Sequence, residues 1–351
     1  MVTIYDIAKK ANVSAMTVSR VINNTGKISK KTEAKVRKIM EEMNYVPNQM
    51  ARSLVLQQTK ILFLLITDIT NPFYTTLSRG AEDAANRSGY RLLFGNSDEN
   101  LQKENDYIHT ILSTRVDGLL VAPTGDASLP HLEQLRRHKV PFVLIDREVP
   151  GMDCDVVLGD SKGGARTLVE HLIDNGHRHI AMVNGLSTAS SARLRLQGYQ
   201  EALLLHSLHM PDNYVFETSY KLHQQVTGND MPVLPSLEAW FDQLEPRPTA
   251  IVAGNNVIAI EIIRMLRKKE IQVPEQISVV CFDDFGLYSE IAPFMTVAAQ
   301  QAYQFGYMGM QTLIERIQNK DHEAQPWRKV VLPAELIVRD SVAPAKDEQS
   351  Q

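Results

Sequence analysis

The stretch VSAMTVSRVIN, Val13 to Asn23, carries two faces at helical spacing. Val18, Val21 and Ile22 make one side apolar, and Met16, Arg20 and Asn23 line the other. An arginine can fork onto guanine O6 and N7, and small or flexible apolar groups such as Ala15 and Met16 can touch thymine methyls. The Ser14, Thr17 and Ser19 hydroxyls, with the first backbone N–H groups of such a helix, can hold phosphates. The same spacing also suits a plain amphipathic helix in a small bundle. A second set of polar residues lies further along: Asn71, Asp146, Arg147, Arg195, Asn255 and Asp283, with the ring of Phe73. Carboxylates accept from neighbouring hydroxyls, a guanidinium donates in a planar fork, and a ring offers a face. That chemistry suits a hydroxyl-rich ligand. Each residue also has a structural alternative, since a strand-end Asp can cap the next helix and an Arg can pair with an acid.

The elements that must position the first set are three short helices. Ile4, Ile7, Ala8 and Ala11 repeat at i, i+3, i+4 and i+7 after Thr3, an N-cap residue. Ser14 caps a second helix running to about Asn24, and Ser29 a third carrying Val36, Ile39, Met40 and Met43. Two helices joined by a tight turn, the second polar outside, make a helix-turn-helix whose second helix enters a major groove. Charge agrees. Residues 1–60 hold eleven Lys and Arg against four acids, a net +7, and the other 291 residues sum to −11. A basic head on an acidic body points to a polyanion partner or to a solvated basic surface.

The second set is positioned by strands alternating with helices from Lys60 onward, which predicts doubly wound α/β lobes with parallel sheets. KILFLLITD, YRLLFGNSD, VDGLLVAP and VPFVLID are strands of one lobe, and HIAMVNG, AIVAGN and ISVVCFDD of another. The fold class expected is therefore α/β: a small all-α head plus two lobes. The expected domains are a head, 1–46; a hinge helix and linker, 47–59; a ligand-binding and dimerisation domain, 60–342; and an unstructured tail, 343–351. Within the body, the first lobe is assigned about 60–160 and 293–320, and the second about 161–292 and 321–342. Ligands in such sheets sit beyond the carboxyl ends of the strands, where Asn71, Phe73, Asp146, Arg147, Asn255 and Asp283 fall.

TIYDIAKKANVSAMTVSRVINN, followed by YVPNQMARSL, resembles the head of the LacI family of bacterial transcription regulators, and the likeness runs to about Asp340. It implies a DNA-binding regulator with lobes like those of periplasmic sugar-binding proteins. It places Thr3, Ser14, Ala15, Met16, Thr17, Ser19, Arg20 and Asn23 on double-stranded operator DNA. A hinge helix started by Pro47 and Asn48 would carry Arg52, Ser53, Leu54 and Val55 to the minor groove, Leu54 wedging into the central base step. Val55 stands where some relatives carry lysine. Arg195 in RLQGY, Asp283 in CFDD and the residues after the first strand would bind a small-molecule effector, together with Asp146, Arg147 and Asn255. Cys281 replaces a usual glycine, Asn256 a usual aspartate, and MTVAAQQA lacks a usual proline, so the identity of the effector does not carry over.

The function expected is a homodimeric repressor on a pseudo-palindromic operator, switched by a small polar effector, with a sugar or sugar derivative favoured. The alternatives of the same fold are a nucleobase effector or a phosphocarrier protein partner. The latter branch carries a tyrosine, an aspartate and an arginine where Tyr303, Gln304 and Gln311 stand here, so both charged groups are missing. An enzyme or a sugar-binding transport protein is the remote alternative. No G-x-S-x-G, G-x-x-x-x-G-K-[ST] or H-E-x-x-H motif occurs. His171, His177 and His179 lack metal-ligand spacing, and two cysteines give no disulfide framework. No cofactor, metal or membrane contact is expected. The N-terminus has no signal-peptide core and the longest apolar run is Ile61–Ile66, which predicts a cytoplasmic protein.

Overall fold

The computed structural model describes residues 2–46, 58–220, 236–319 and 325–346. The chain divides into two compact units between Thr59 and Lys60. The expected hinge residues Asn48, Arg52, Ser53, Leu54 and Val55 lie outside the described residues.

The head is built from α1 (Ile4–Ala11), α2 (Ala15–Asn23) and α3 (Lys30–Glu42). Each start is fixed by a local hydroxyl. Thr3 and Asp6 form a reciprocal capping box, and Ser14 and Ser29 accept from Thr17 N and Thr32 N. The first two helices stop at Asn12 and Asn24, both left-handed with φ 52°, a conformation asparagine tolerates. Ile7, Ala8, Ala11, Val18, Val21, Val36 and Ile39 close the core.

Among the described residues the second unit contains two six-stranded sheets. In chain order its elements are β1 (Ile61–Ile66), α4 (Pro72–Arg87), β2 (Arg91–Asn96), α5 (Leu101–Thr114), β3 (Gly118–Val121), α6 (Leu129–Arg137), β4 (Phe142–Ile145) and β5 (Asp155–Gly159). There follow α7 (Ser161–Asp174), β6 (Ile180–Gly185), α8 (Ser190–Leu205), β7 (Val215–Thr218), α9 (Leu237–Asp242), β8 (Ala250–Ala253), α10 (Asn256–Lys268), β9 (Ser278–Phe282) and α11 (Leu287–Ile291). The chain ends with β10 (Thr296–Gln300), α12 (Ala302–Gln318), β11 (Lys329–Leu332) and β12 (Ala334–Ile337). The first sheet runs β11-β5-β4-β3-β1-β2, all parallel, and the second β12-β10-β9-β8-β6-β7, parallel except for the antiparallel β10–β12 pair. In both sheets the order reverses beside the lobe's first strand, at β1 and β6. Those are the switch points where α/β sheets open a crevice.

The lobe boundaries differ from the expected ones. β10 lies in the second sheet, although 293–320 was assigned whole to the first lobe, and β11 lies in the first sheet, although 321–342 was assigned to the second. The chain changes lobes at Gln301 and again at Pro333, so each return strand extends the sheet that it reaches. α12 returns to the first lobe and packs across α4. A Cβ at Gly80 would strike the Tyr303 carbonyl and one at Gly306 the Leu77 carbonyl, so this crossing requires glycine on both helices. The expected tail also starts later. His177 Nε2 meets the Ala343 carbonyl at 3.0 Å, and Ala345 N donates to Asn175 O at 2.9 Å, so the chain is held as far as Ala345.

Candidate functional site

On the head, Met16 is 63% exposed and Arg20 is exposed, while Val18 and Val21 are buried behind them. Among the described residues the Arg20 guanidinium makes no hydrogen bond or ion pair, and a Cβ added at Gly26 would come within 3.5 Å of the Arg20 side chain. The hydroxyls expected to hold phosphate have partners inside the head. Thr3 Oγ1 donates to Asp6, Ser14 and Thr17 share a bond of 2.9 Å, and Asn23 donates to Ser19 Oγ at 3.3 Å. A hydroxyl that donates once still accepts, so these contacts orient the groups rather than consume them. Lys10 pairs with Glu42 at 3.2 Å.

In the body, Asp68, Asn71, Phe73, Asp146, Arg147, Arg195, Asn255 and Asp283 are all buried and line one cleft with Tyr74, Glu99, Ser191 and Tyr220. The space left free in the cleft, at the strand ends of the two sheets, is about 20 Å³. Asp146 and Asp283 each follow a strand, β4 and β9, in the left-handed region with φ 67° and 71°. Each N–H still reaches the neighbouring strand, at Val157 O and Ala298 O. Non-glycine residues in that conformation are uncommon and gather at functional sites.

The first wall is rigidly paired. Arg147 forks onto Glu99 (Nη1–Oε2 2.9 Å, Nη2–Oε1 2.6 Å) and donates from Nη1 to the Thr124 carbonyl at 2.9 Å. Tyr74 donates to Asp146 Oδ2 at 2.8 Å, and burial beside that carboxylate holds its phenol well above the usual range. The Phe73 ring is set edge-on to Tyr74 and Phe305. Asn71 Oδ1 accepts from Phe73 N, capping α4, and from Asn256 Nδ2 of the other lobe at 3.2 Å.

The second wall is looser. Arg195 donates from Nη1 to the Gly254 carbonyl at 2.7 Å, and its Nη2 lies 3.7 Å from Asp283 Oδ2. Its guanidinium lies 3.9 Å over the Phe282 ring, a cation–π contact. Burial pushes the Asp283 carboxyl up to about 6, against the pull of Arg195 and the Gln300 hydrogen bond. Tyr220 covers Gly185, where a Cβ would collide with its ring. Asn255 Oδ1 accepts from Ile258 N at 2.8 Å, so the side chain caps α10 as well as lining the cleft.

Asp68, Tyr74, Glu99, Ser191 and Tyr220 were not among the expected ligand residues, nor was Gln300, which donates to Asp283 Oδ1 at 2.6 Å. The signal available for Asp68 and Glu99 was their place just past β1 and β2. Nothing in the local pattern marks Gln300 or Tyr220.

A helix-turn-helix head carried on a two-lobed α/β body is the build of a DNA-binding transcriptional regulator. Residues 3–48 match the model of bacterial regulatory proteins of the lacI family, and residues 169–342 the periplasmic binding protein-like domain. The chain is 36% identical over 320 residues to the ribose operon repressor of Escherichia coli K12, covering 90% of this chain and 93% of that protein. Among solved structures it resembles the lac repressor dimer bound to operator and the anti-inducer ONPF (TM-score 0.78, 26% identity, 97% of this chain and 99% of that one). It also resembles the transcriptional regulator CelR in complex with cellobiose (TM-score 0.68, 27% identity, 97% and 100%). The chain belongs to the lacI family, and it is a DNA-binding transcriptional regulator.

Proposed function

We propose that this regulator is a cytoplasmic repressor that binds a pseudo-palindromic operator as a homodimer, and that a small polar effector in the cleft, a sugar or sugar derivative, sets its operator affinity. The observation that carries the effector reading is the convergence of Asp68, Glu99, Asp146 and Arg147 from one lobe with Arg195 and Asp283 from the other. A ligand touching both walls binds one lobe arrangement better than another, and only such a difference shifts an equilibrium. The CelR complex and the ribose operon repressor support a sugar class. The homodimer reading is supported by the operator-bound lac repressor dimer and by Leu287, Tyr288 and Ile291, which stand 84%, 73% and 84% exposed along α11.

On the head, Met16 and Arg20 read the major groove, with Ala15, Ser14, Thr17, Ser19, Asn23 and Thr3 around them. In the hinge, Asn48, Arg52, Ser53, Leu54 and Val55 take the minor-groove role that the family resemblance implies. The test is a titration of Arg20→Ala against a base-substituted operator series. The expected result is a loss of about 1–3 kcal/mol and relaxed preference at one base pair per half-site. Unchanged base preference removes Arg20 from the groove.

A further inference from the structure

Gly125 and Asp126 follow β3, and there the first lobe touches the second along the main chain. Asp126 N donates to the Thr188 carbonyl at 3.0 Å, and a Cβ at Gly125 would lie 2.9 Å from that same oxygen. We infer that this contact is the latch of the closed lobe arrangement, and that Glu104, whose bonds all stay within the first lobe, is the residue that positions it. β3 and β6, which carry the two sides of the contact, lie away from the places where the chain crosses between lobes. The nearest crossing strands are β5, two strands from β3, and β10, three strands from β6. A contact so placed forms on closure and breaks on opening. With about 20 Å³ left free in the cleft, the lobes stand closed here.

Glu104 lies in the first turn of α5 and is 1% exposed. Its Oε2 accepts from Thr124 N at 2.7 Å and from Ser128 Oγ at 2.9 Å, and its Oε1 lies 2.7 Å from His131 Nδ1. Burial pushes this carboxyl up, and the bonds from His131, Thr124 and Ser128 bring it below the usual range. The residues on either side of the latch are thus tied to one buried carboxylate. Ser128 precedes α6, where a serine hydroxyl ordinarily accepts from the first helix N–H groups. It makes no such bond here and donates to Glu104 instead, so the helix start gives up its cap to hold the loop. Thr124 joins the latch to the effector wall. Its N–H is on Glu104, and its carbonyl accepts from Arg147 Nη1 at 2.9 Å. A shift of Arg147 therefore reaches Gly125 through one residue.

Gly125 allows closure to be tested apart from the fold. Its φ of 169° is extended backbone that any residue adopts, so an alanine there strains nothing local. The atoms it would meet all belong to Thr188 of the other lobe, and the nearest is a main-chain oxygen that cannot swing aside. The Asp126–Arg193 side-chain pair beside it is partly exposed and adds little.

The experiment is residue-resolved amide hydrogen exchange on the full chain. Gly125→Ala is expected to speed exchange at Asp126 N by roughly 5- to 150-fold, the range that an overpacked contact costs, while Thr124 N keeps its protection. Glu104→Ala is expected to release Thr124 N and Asp126 N by a larger factor than Leu120 N, which reports β3 itself. Ser128→Ala removes one tie and leaves the carboxylate otherwise paired, so it serves where Glu104→Ala does not fold. It is expected to speed Asp126 N by roughly two- to tenfold. Unchanged exchange at Asp126 N in Gly125→Ala overturns the latch. Equal factors at Asp126 N and Leu120 N in Glu104→Ala, or no change at Asp126 N in Ser128→Ala, overturn the positioning role. The link from latch to function rests on the reading that the lobe arrangement sets operator affinity, which a separate titration checks. The probe is a duplex that the unmodified chain selects from a random pool, and Gly125→Ala is expected to change its Kd by roughly fivefold or more. A released Asp126 amide with an unchanged Kd upholds the latch and overturns that reading instead.

Discussion

Asp146 and Asp283 hold equivalent places in the two lobes, one residue past β4 and β9, with the same left-handed backbone and the same strand-to-strand N–H bond. Even the next residues correspond, each locked by an opposite charge: Arg147 on Glu99, and Asp284 on Arg339 at 2.8 Å. The walls differ in where the cleft's positive charge comes from. The first takes it from the chain neighbour of its aspartate and fixes it bidentately. The second borrows Arg195 from α8 and holds it 3.7 Å from the carboxylate, with a carbonyl and a ring face completing the site. A pre-paired wall keeps its shape with or without ligand. A loosely paired wall has interactions left to strengthen when a ligand arrives, so the ligand response should concentrate there.

The largest effect that breaks the symmetry is expected from Arg147→Ala. It leaves Glu99 partly buried without its fork, and removing one partner of a buried pair costs about 3–5 kcal/mol. Chemical denaturation should show that loss, whereas Arg195→Ala should unfold at higher denaturant while binding operator and ignoring the effector. Equal destabilisation of the two variants would mean that the walls are not differently paired.

A smaller effect is expected with pH. Effector binding that uses the Asp283 carboxylate weakens as pH falls below about 6, by up to about tenfold per unit. Arg195, Asp146 and Asp284 are the charged groups that act on it. The sign for folding is opposite. A carboxyl raised from 3.8 to about 6 stays protonated in the folded state while the unfolded chain ionises, so its contribution to stability falls across that window as pH rises. Calorimetry between pH 5 and 8 should show a slope that Asp283→Asn flattens and Asp146→Asn keeps.

The smallest effect belongs to the bridge between the walls. Asp126 and Arg193 are 40% and 32% exposed, and such pairs contribute roughly 0.2–1 kcal/mol. Asp126→Asn should lower effector affinity by less than about fivefold and leave Tm within about 2 °C. A larger loss of affinity would make this bridge part of the switch.

What the sequence made legible follows from distance along the chain. The head was readable because its caps, its stops and its apolar stripe are all settled within four residues. Asp283 and Arg195 were readable as residues at strand ends and in a short motif. The pairing of Arg147 was not, because Glu99 lies 48 residues away and reaches it only through the position of β2 in the sheet. β5 was missed because Asp155, which Arg316 pairs in the buried interior, puts a charge at the start of a five-residue strand. β7 and α9 are short and carry no clear period. Gln300 stood out least of all, since its meaning depends on β10 lying beside β9.

The order in which the chain is made has a consequence for these sheets. β11 and β12, within residues 329–337, form the outer edge of one sheet each, and Ser341 then bonds the Thr296 and Val279 backbones. During synthesis neither lobe can be completed before nearly the whole chain has emerged, although β1 to β4 are available early. Until then β5 and β10 present open edges, the surface on which unfinished chains pair with one another. A premature stop after α12 would therefore leave two unfinished lobes rather than one intact and one damaged.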